Sequence, residues 1–336
     1  MGDVEELKLV SLEQIKAAYE EVQKSFLCTR TPLLEQVQSR FHEGTPVELY
    51  LKLENTQVTG SFKVKGLANQ LAHLPKAVRD GEKEVITMSA GNYGKALCYA
   101  AHKLGIKARV LTPETAPMDR TIIMESYGAT VERVPSSELM QTVDRYVREL
   151  GLHFLHPFDD LDIIAGHGSV GLEILADLPD PDIIAVCCGG GGLVAGIAAA
   201  VKLSGKADTR IYCVEPETAN AMHLSFQNGE AAQLPNSHSV ASGLSPPFAG
   251  RKTYNHCKHF TEGVLLVSDD ELVRATKHLY ERGLVVEPAG AAAFAAVDVQ
   301  QNSRRHRQES GHCLDRRKHL TSANVRALEG VVVTLV

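Results

Sequence analysis

Short β-branched, apolar runs alternate along this chain with longer amphipathic stretches, and no other feature limits the possible folds as strongly. Val47–Leu53, Glu84–Met88, Ala108–Leu111, Thr130–Val134, Ile183–Cys187, Arg210–Val214 and Gly330–Val336 read as buried strands. Between them Ser11–Glu21, Phe62–Ala72, Tyr93–Leu104, Met118–Tyr127, Ser137–Glu149, Gly166–Leu175, Val194–Leu203, Asp269–Arg282 and Ala289–Gln300 carry helical periodicity. Such alternation predicts an α/β fold, with parallel sheets covered by helices on both faces. The 336 residues exceed one small core and suit two lobes with a cleft between them. Residues 82–154 read as a self-contained β-α-β-α-β-α unit. The expected division is therefore a small inserted lobe, 82–154, within a discontinuous large lobe of 1–81 and 155–336.

Several function classes fall away on composition. The formal net charge is -6 and the basic residues are dispersed, so no nucleic-acid or anionic-membrane surface is expected. Asp3, Glu5 and Glu6 precede any apolar run, the wrong order for a signal peptide. No stretch approaches the ~20 apolar residues that span a bilayer. Seven cysteines without a C-x-x-C pair suit reduced thiols and a cytoplasmic location. Residues 301–326, polar and basic, read as an exposed loop.

Three motifs carry chemistry. In Thr59-Gly60-Ser61-Phe62-Lys63 a small-residue turn leads into a helix with a lysine at its start, where the helix dipole and partial desolvation favour the neutral amine. Read alone, such a lysine is more often a surface residue. Gly189-Gly190-Gly191-Gly192-Leu193 follows a buried strand and opens a small-residue helix, so consecutive backbone N–H groups can close on one anion. It lacks the Gly-Lys-Ser/Thr of a Walker loop and the acid of a dinucleotide fingerprint. Ser89-Ala90-Gly91-Asn92-Tyr93-Gly94 is a second strand-to-helix turn, offering N–H groups and a hydroxyl to a carboxylate.

Together the three resemble the serine/threonine dehydratase and serine racemase family of fold type II pyridoxal-phosphate (PLP) enzymes. The likeness runs in order from Thr31-Pro32 to Val297. It includes His156-Pro157-Phe158-Asp159-Asp160, Val214-Glu215-Pro216 and Val286-Glu287-Pro288. It implies a two-lobed fold like the β subunit of tryptophan synthase, with PLP in the cleft. By the same resemblance Lys63 is the Schiff-base lysine and the base for the substrate α-proton. Phe62 lies against the cofactor ring, and Asn92 bonds the ring hydroxyl. Gly189, Gly190, Gly191, Gly192 and Leu193 hold the phosphate, while Gly243 and Glu287 line the cofactor site. Ser89, Ala90, Gly91, Asn92 and Tyr93 grip the substrate carboxylate, with Ser89 also counted as catalytic. The implied activity is an ammonia-lyase acting on L-serine, L-threonine or a related β-hydroxy amino acid, in a homodimer.

Departures from the family pattern refine these expectations. Ala90 replaces the second serine that racemases use as the acid on the opposite substrate face, which favours elimination over racemisation. Tyr93 stands where the family has His, and Ser242 where it has Asp before Gly243. Ala221 occupies the aspartate position of the racemase metal site; with Glu215 left as its main ligand, no dedicated metal is expected. The family's last core strand continues into Ser-Gly-Gly-Asn, whose serine bonds the pyridine nitrogen, whereas this sequence ends at Val331-Val332-Val333-Thr334-Leu335-Val336. A truncated chain with impaired activity is the corresponding expectation. The competing readings are a serine or aspartate racemase and a catalytically silent PLP-fold protein partnering an active relative.

Overall fold

The computed structural model describes residues 8–35, 48–297 and 330–335. Two sheets organise them. The larger contains β1 (Leu33–Leu34), β2 (Leu49–Leu53), β7 (Ile183–Cys187), β8 (Arg210–Pro216), β9 (Gly263–Val267) and β10 (Val331–Leu335), in the order β1-β2-β10-β7-β8-β9. All its pairings are parallel except β1 with β2. The smaller has the order β5-β4-β3-β6, all parallel, from β3 (Val85–Met88), β4 (Ala108–Pro113), β5 (Thr130–Val134) and β6 (His153–Phe154). Its strands all come from one continuous stretch of chain, as a unit closed in sequence must.

Every residue of β7 and β10 is buried, which is why these strands read as unbroken apolar runs rather than alternating ones. β10 inserts between β2 and β7, with Val333 opposite both Leu51 and Ala185. The last described strand thus completes the middle of a sheet begun near the other end of the chain.

Around the large sheet pack α1 (Leu12–Lys24), α2 (Lys63–Ala72), α7 (Leu161–Asp177) and α8 (Gly192–Leu203). The intervening helices are α3 (Lys76–Arg79), α4 (Asn92–Leu104), α5 (Met118–Ser126) and α6 (Leu139–Leu150). Beyond α8 come α9 (Ala221–Asn228), α10 (Arg251–Phe260), α11 (Asp269–Glu281) and α12 (288–297). Glycines let three of the helices touch. A Cβ on Gly166 would lie 2.8 Å from Gly66 Cα, and one on Gly196 would lie 2.4 Å from Ile164 O.

The structure departs from the sequence-based elements in identifiable ways. α7 starts at Leu161 rather than Gly166 because the Asp160 side chain accepts from the Asp162 and Ile163 amides and caps it there. The strand β9 and the helices α9 and α10 were not anticipated. α10 reads as polar, yet Tyr254, Cys257 and Phe260 fall on one buried face. Residues 301–326, and the far ends of the strands expected at Val47–Leu53 and Gly330–Val336, lie wholly or partly outside the described residues.

Candidate active site

Lys63 is the first residue of α2. Its Nζ donates to Pro157 O at 2.9 Å and lies 5.1 Å from the Phe62 ring centroid and 5.9 Å from that of Tyr93. No carboxylate pairs with it among the described residues. Burial alone lowers its pKa from the ordinary 10.5 to about 8. Lys65, one step along the same helix, has the opposite fate. Burial works against its charge too, but Glu54 and Glu173, both at 2.8 Å, outweigh this and raise its pKa. Lys52 joins the same buried cluster, 2.6 Å from Glu173. Lys52 and Lys65 are thus fully buried and paired with carboxylates, whereas Lys63, half-buried, has no carboxylate partner among the described residues.

The glycine loop leaves the end of β7, the strand between β10 and β8. Its four glycines are dictated by their surroundings. A Cβ on Gly190 would fall 2.4 Å from the Phe158 ring, and one on Gly189 would lie 3.1 Å from Gly243 O. Gly191 has φ +92° and would meet Met222 and Thr253, so both conformation and space exclude side chains there. Gly192 would press on Phe158 O at 3.1 Å. Thr253 Oγ1 donates to Gly190 O at 2.6 Å and pins the turn. No side chain caps α8, whose N-cap is Gly191. The first-turn amides of Gly192 and Leu193 therefore sit at a positive helix end with no side-chain acceptor, while the Leu193 side chain is buried in the core.

The 89–93 loop follows β3. Ser89 Oγ accepts from the amides of Gly91 at 3.3 Å and Gly94 at 3.2 Å, so this hydroxyl organises the loop. Asn92 donates through Nδ2 to Glu287 Oε1, joining the two sheets' site residues. Tyr93 is buried, and its hydroxyl donates to Gln70 Oε1 at 2.5 Å; only its backbone remains with the loop. Arg120, which the sequence did not single out, donates to Ala90 O at 3.5 Å and to Ser242 Oγ at 3.2 Å. It ties this loop to the turn carrying Gly243. Nothing local to residue 120 announces that role, because both partners are remote in sequence.

Between the loops runs His156-Pro157-Phe158-Asp159-Asp160. Burial pushes the His156 pKa down to about 4, and its Nδ1 accepts from the Phe158 and Asp159 amides at 3.3 and 2.9 Å. Asp159 caps α10 through the amides of Arg251, Lys252 and Thr253, and Asp160 caps α7. This motif holds Pro157 O against Lys63 and Phe158 against Gly190, so lysine and glycine loop are positioned by one turn. Glu215 accepts from the Met222 and His223 amides at 2.9 and 2.8 Å, and its carboxyl is pushed well above the usual range by burial. It serves the first turn of α9.

A cup of helix N-terminal amides suits a phosphate, and a desolvated amine without a carboxylate partner suits an aldehyde carbon. A molecule carrying both groups fits the donor set, and PLP is such a molecule. Comparisons with known proteins agree. Residues 24–313 match the family model described as "Pyridoxal-phosphate dependent enzyme". The L-threonine ammonia-lyase of Thermotoga maritima is 35% identical over 292 residues, covering 86% of this chain and 71% of that protein. The catabolic L-threonine dehydratase TdcB of Staphylococcus aureus is likewise 35% identical over 86% of this chain and 83% of its own length. Among solved structures, serine racemase from Dictyostelium discoideum superposes with a TM-score of 0.80 at 30% identity, covering 97% of each chain.

Proposed function

Because the chain belongs to the family of pyridoxal-phosphate-dependent enzymes, we propose that it is an ammonia-lyase that converts L-serine or L-threonine to the 2-oxo acid and ammonia. The observation that carries this reading is the pairing of a desolvated, carboxylate-free Lys63 with a hydroxyl-free Ala90 in the loop facing the site. Bound PLP supplies an electron sink for the pair left when an amino acid loses its α-proton. Lys63 Nζ, with a pKa near 8, is matched to taking that proton and returning it near neutral pH. On the other face Ala90 holds no proton to give, so loss of the β-hydroxyl outruns inversion at the α-carbon.

The remaining residues orient. The amides of Gly192 and Leu193 would hold the phosphate with the rest of the glycine loop, and the Phe62 ring lies beside Lys63. Asn92, fixed by Glu287, would meet the ring hydroxyl. Ser89 holds the loop amides in the arrangement that receives the substrate carboxylate. We assign the cleft to the boundary between a small lobe, 82–154, and a large one, 1–81 with 155–336, a division supported by the sequence range of the four-stranded sheet.

One assay tests the reading. The PLP-loaded protein is incubated with L-serine and L-threonine, 2-oxo acid is measured, and the remaining amino acid is resolved by chirality. Pyruvate and 2-oxobutyrate with almost no D-amino acid are expected. D-Serine as the main product would replace the lyase with a racemase, and a PLP-loaded but inert protein would favour the silent-partner reading.

A further inference from the structure

His167 lies in the second turn of α7, where it meets the opening turns of α2 and α8. It is fully buried, and neither ring nitrogen has a hydrogen-bond partner of normal geometry among the described residues. A buried polar group without a partner is uncommon and points to something that completes it. The ring is held rigidly. It meets the Phe62 ring edge-on at 4.9 Å between centroids, and a Cβ on Gly66 would lie 2.5 Å from Nε2. That side is closed by the α2 backbone. Nδ1 faces the other way, 3.4 Å from where a Cβ on Gly192 would stand, with the Gly192 backbone the polar group beside it.

Its electrical surroundings are one-sided. Burial, then the charges of Lys63 and Lys65, push its pKa well below 6.5. Both lysines come from α2, and Lys65 is already matched by Glu54 and Glu173. The site thus has a neutral imidazole between two helix N-termini, beside the Gly192 backbone but with no hydrogen bond of normal geometry among the described residues. Two of the features around it, the amides of α8 and the ring itself, would be satisfied by one anion.

We infer that His167 is a further cofactor-binding residue, its imidazole donating from the nitrogen facing Gly192 to the phosphate held on the 189–193 loop. The glycine loop would then be assisted by a side chain from α7, a contact that the backbone cup alone does not predict. This inference rests on the family's cofactor and is independent of which amino acid is the substrate.

The test compares PLP with pyridoxal, which has the aldehyde but no phosphate, in titrations of the cofactor-free protein. His167→Phe keeps an aromatic ring of similar size and removes both nitrogens. It should weaken PLP binding by roughly tenfold or more, as expected when one charge-assisted hydrogen bond is lost, and leave pyridoxal binding unchanged. Cofactor-free His167→Phe should also melt at or above the wild-type temperature, because the nitrogens it deletes have no partner to lose. His167→Gln, which keeps a donor, should fall between wild type and His167→Phe in PLP affinity. The ³¹P resonance of bound PLP should move in both variants. Equal losses for PLP and pyridoxal would make His167 a packing residue, and an unchanged PLP affinity with an unmoved ³¹P signal would remove it from the site; either result overturns the inference.

Discussion

The two loops that frame Lys63 do their work by different means. At 189–193 the chain offers backbone: a Cβ on Gly190 or Gly191 would strike a neighbour, and one on Gly189 or Gly192 would be crowded at 3.1 Å. At 89–93 the chain is held largely by hydrogen bonds, some local, as Ser89 with the Gly91 and Gly94 amides, and some remote: Asn92 to Glu287, Tyr93 to Gln70, and the Ala90 carbonyl to Arg120. A steric requirement is absolute, since one added carbon cannot be accommodated without moving a ring or a strand end. A hydrogen-bonded partnership is graded, and losing one member costs about 1–3 kcal/mol when the other is left buried. The first loop should therefore fail abruptly on substitution and the second by degrees.

Lys63 stands between the loops and sets the upper limit of the comparison. Lys63→Ala should abolish 2-oxo acid formation altogether, and borohydride treatment with PLP should leave no attached cofactor. A stable adduct on that variant would move the assignment to another lysine. Next in size is Gly191→Asp, which combines a strained φ with a carboxylate in the phosphate cup. PLP affinity should fall by roughly a hundredfold or more, as for a like charge placed in a poorly solvated anion site. Wild-type affinity in a titration of this variant would break the claim that the loop holds phosphate.

A pH experiment sharpens the description of the lysine itself. The Lys63 pKa is lowered in the folded protein, from 10.5 to about 8, so the unfolded chain binds the proton more tightly. Stability of the cofactor-free protein should therefore rise with pH between about 8 and 10.5 through this group, and be independent of it outside that window. Urea midpoints compared between wild type and Lys63→Met should differ in slope only there. Parallel slopes would mean that the ammonium is solvated in the fold.

At the second loop the expected effects are smaller. Tyr93→Phe deletes the hydroxyl that donates to Gln70 and should lower stability by about 1 kcal/mol in urea unfolding, while PLP stays bound. A loss of cofactor would show that the loop is as unforgiving as the glycines. Ala90→Ser adds one hydroxyl on the face opposite Lys63 and should raise the ratio of D-serine to pyruvate several-fold over a wild-type value near zero, given the typical worth of one positioned acid. Appreciable D-serine from the unaltered protein would mean that another group supplies the second proton.

What the sequence could disclose follows from which interactions are local. A buried strand, four glycines and a helix start are contiguous, so the glycine loop was readable directly as a candidate anion site, although the residues that crowd it, Phe158, Met222, Gly243 and Thr253, are remote in sequence. The helix start at Lys63 was equally visible, and so was the resemblance that joined it to PLP. The same holds for the alternation that predicted an α/β fold, since parallel strands buried on both faces must be apolar throughout. The helix α10 escaped because its buried face is made of Tyr254, Cys257 and Phe260 amid charged neighbours, a pattern that periodicity weighs weakly.

Charge state and partnership were decided elsewhere. Nothing in Phe62-Lys63-Val64-Lys65 says which lysine meets carboxylates, because Glu54 and Glu173 arrive from β2's end and from α7. Nor does Asp159-Asp160 announce that its two carboxylates cap two different helices, or His167 that both its nitrogens are enclosed without a partner. The sequence determined the fold class and the strand-to-helix positions of Lys63 and the four glycines, since each is written in neighbouring residues. Only the tertiary structure decided that Lys63 is the amine left without a carboxylate and that Tyr93 turns inward. A pKa or a hydrogen bond depends on distances between segments that the chain brings together only by folding.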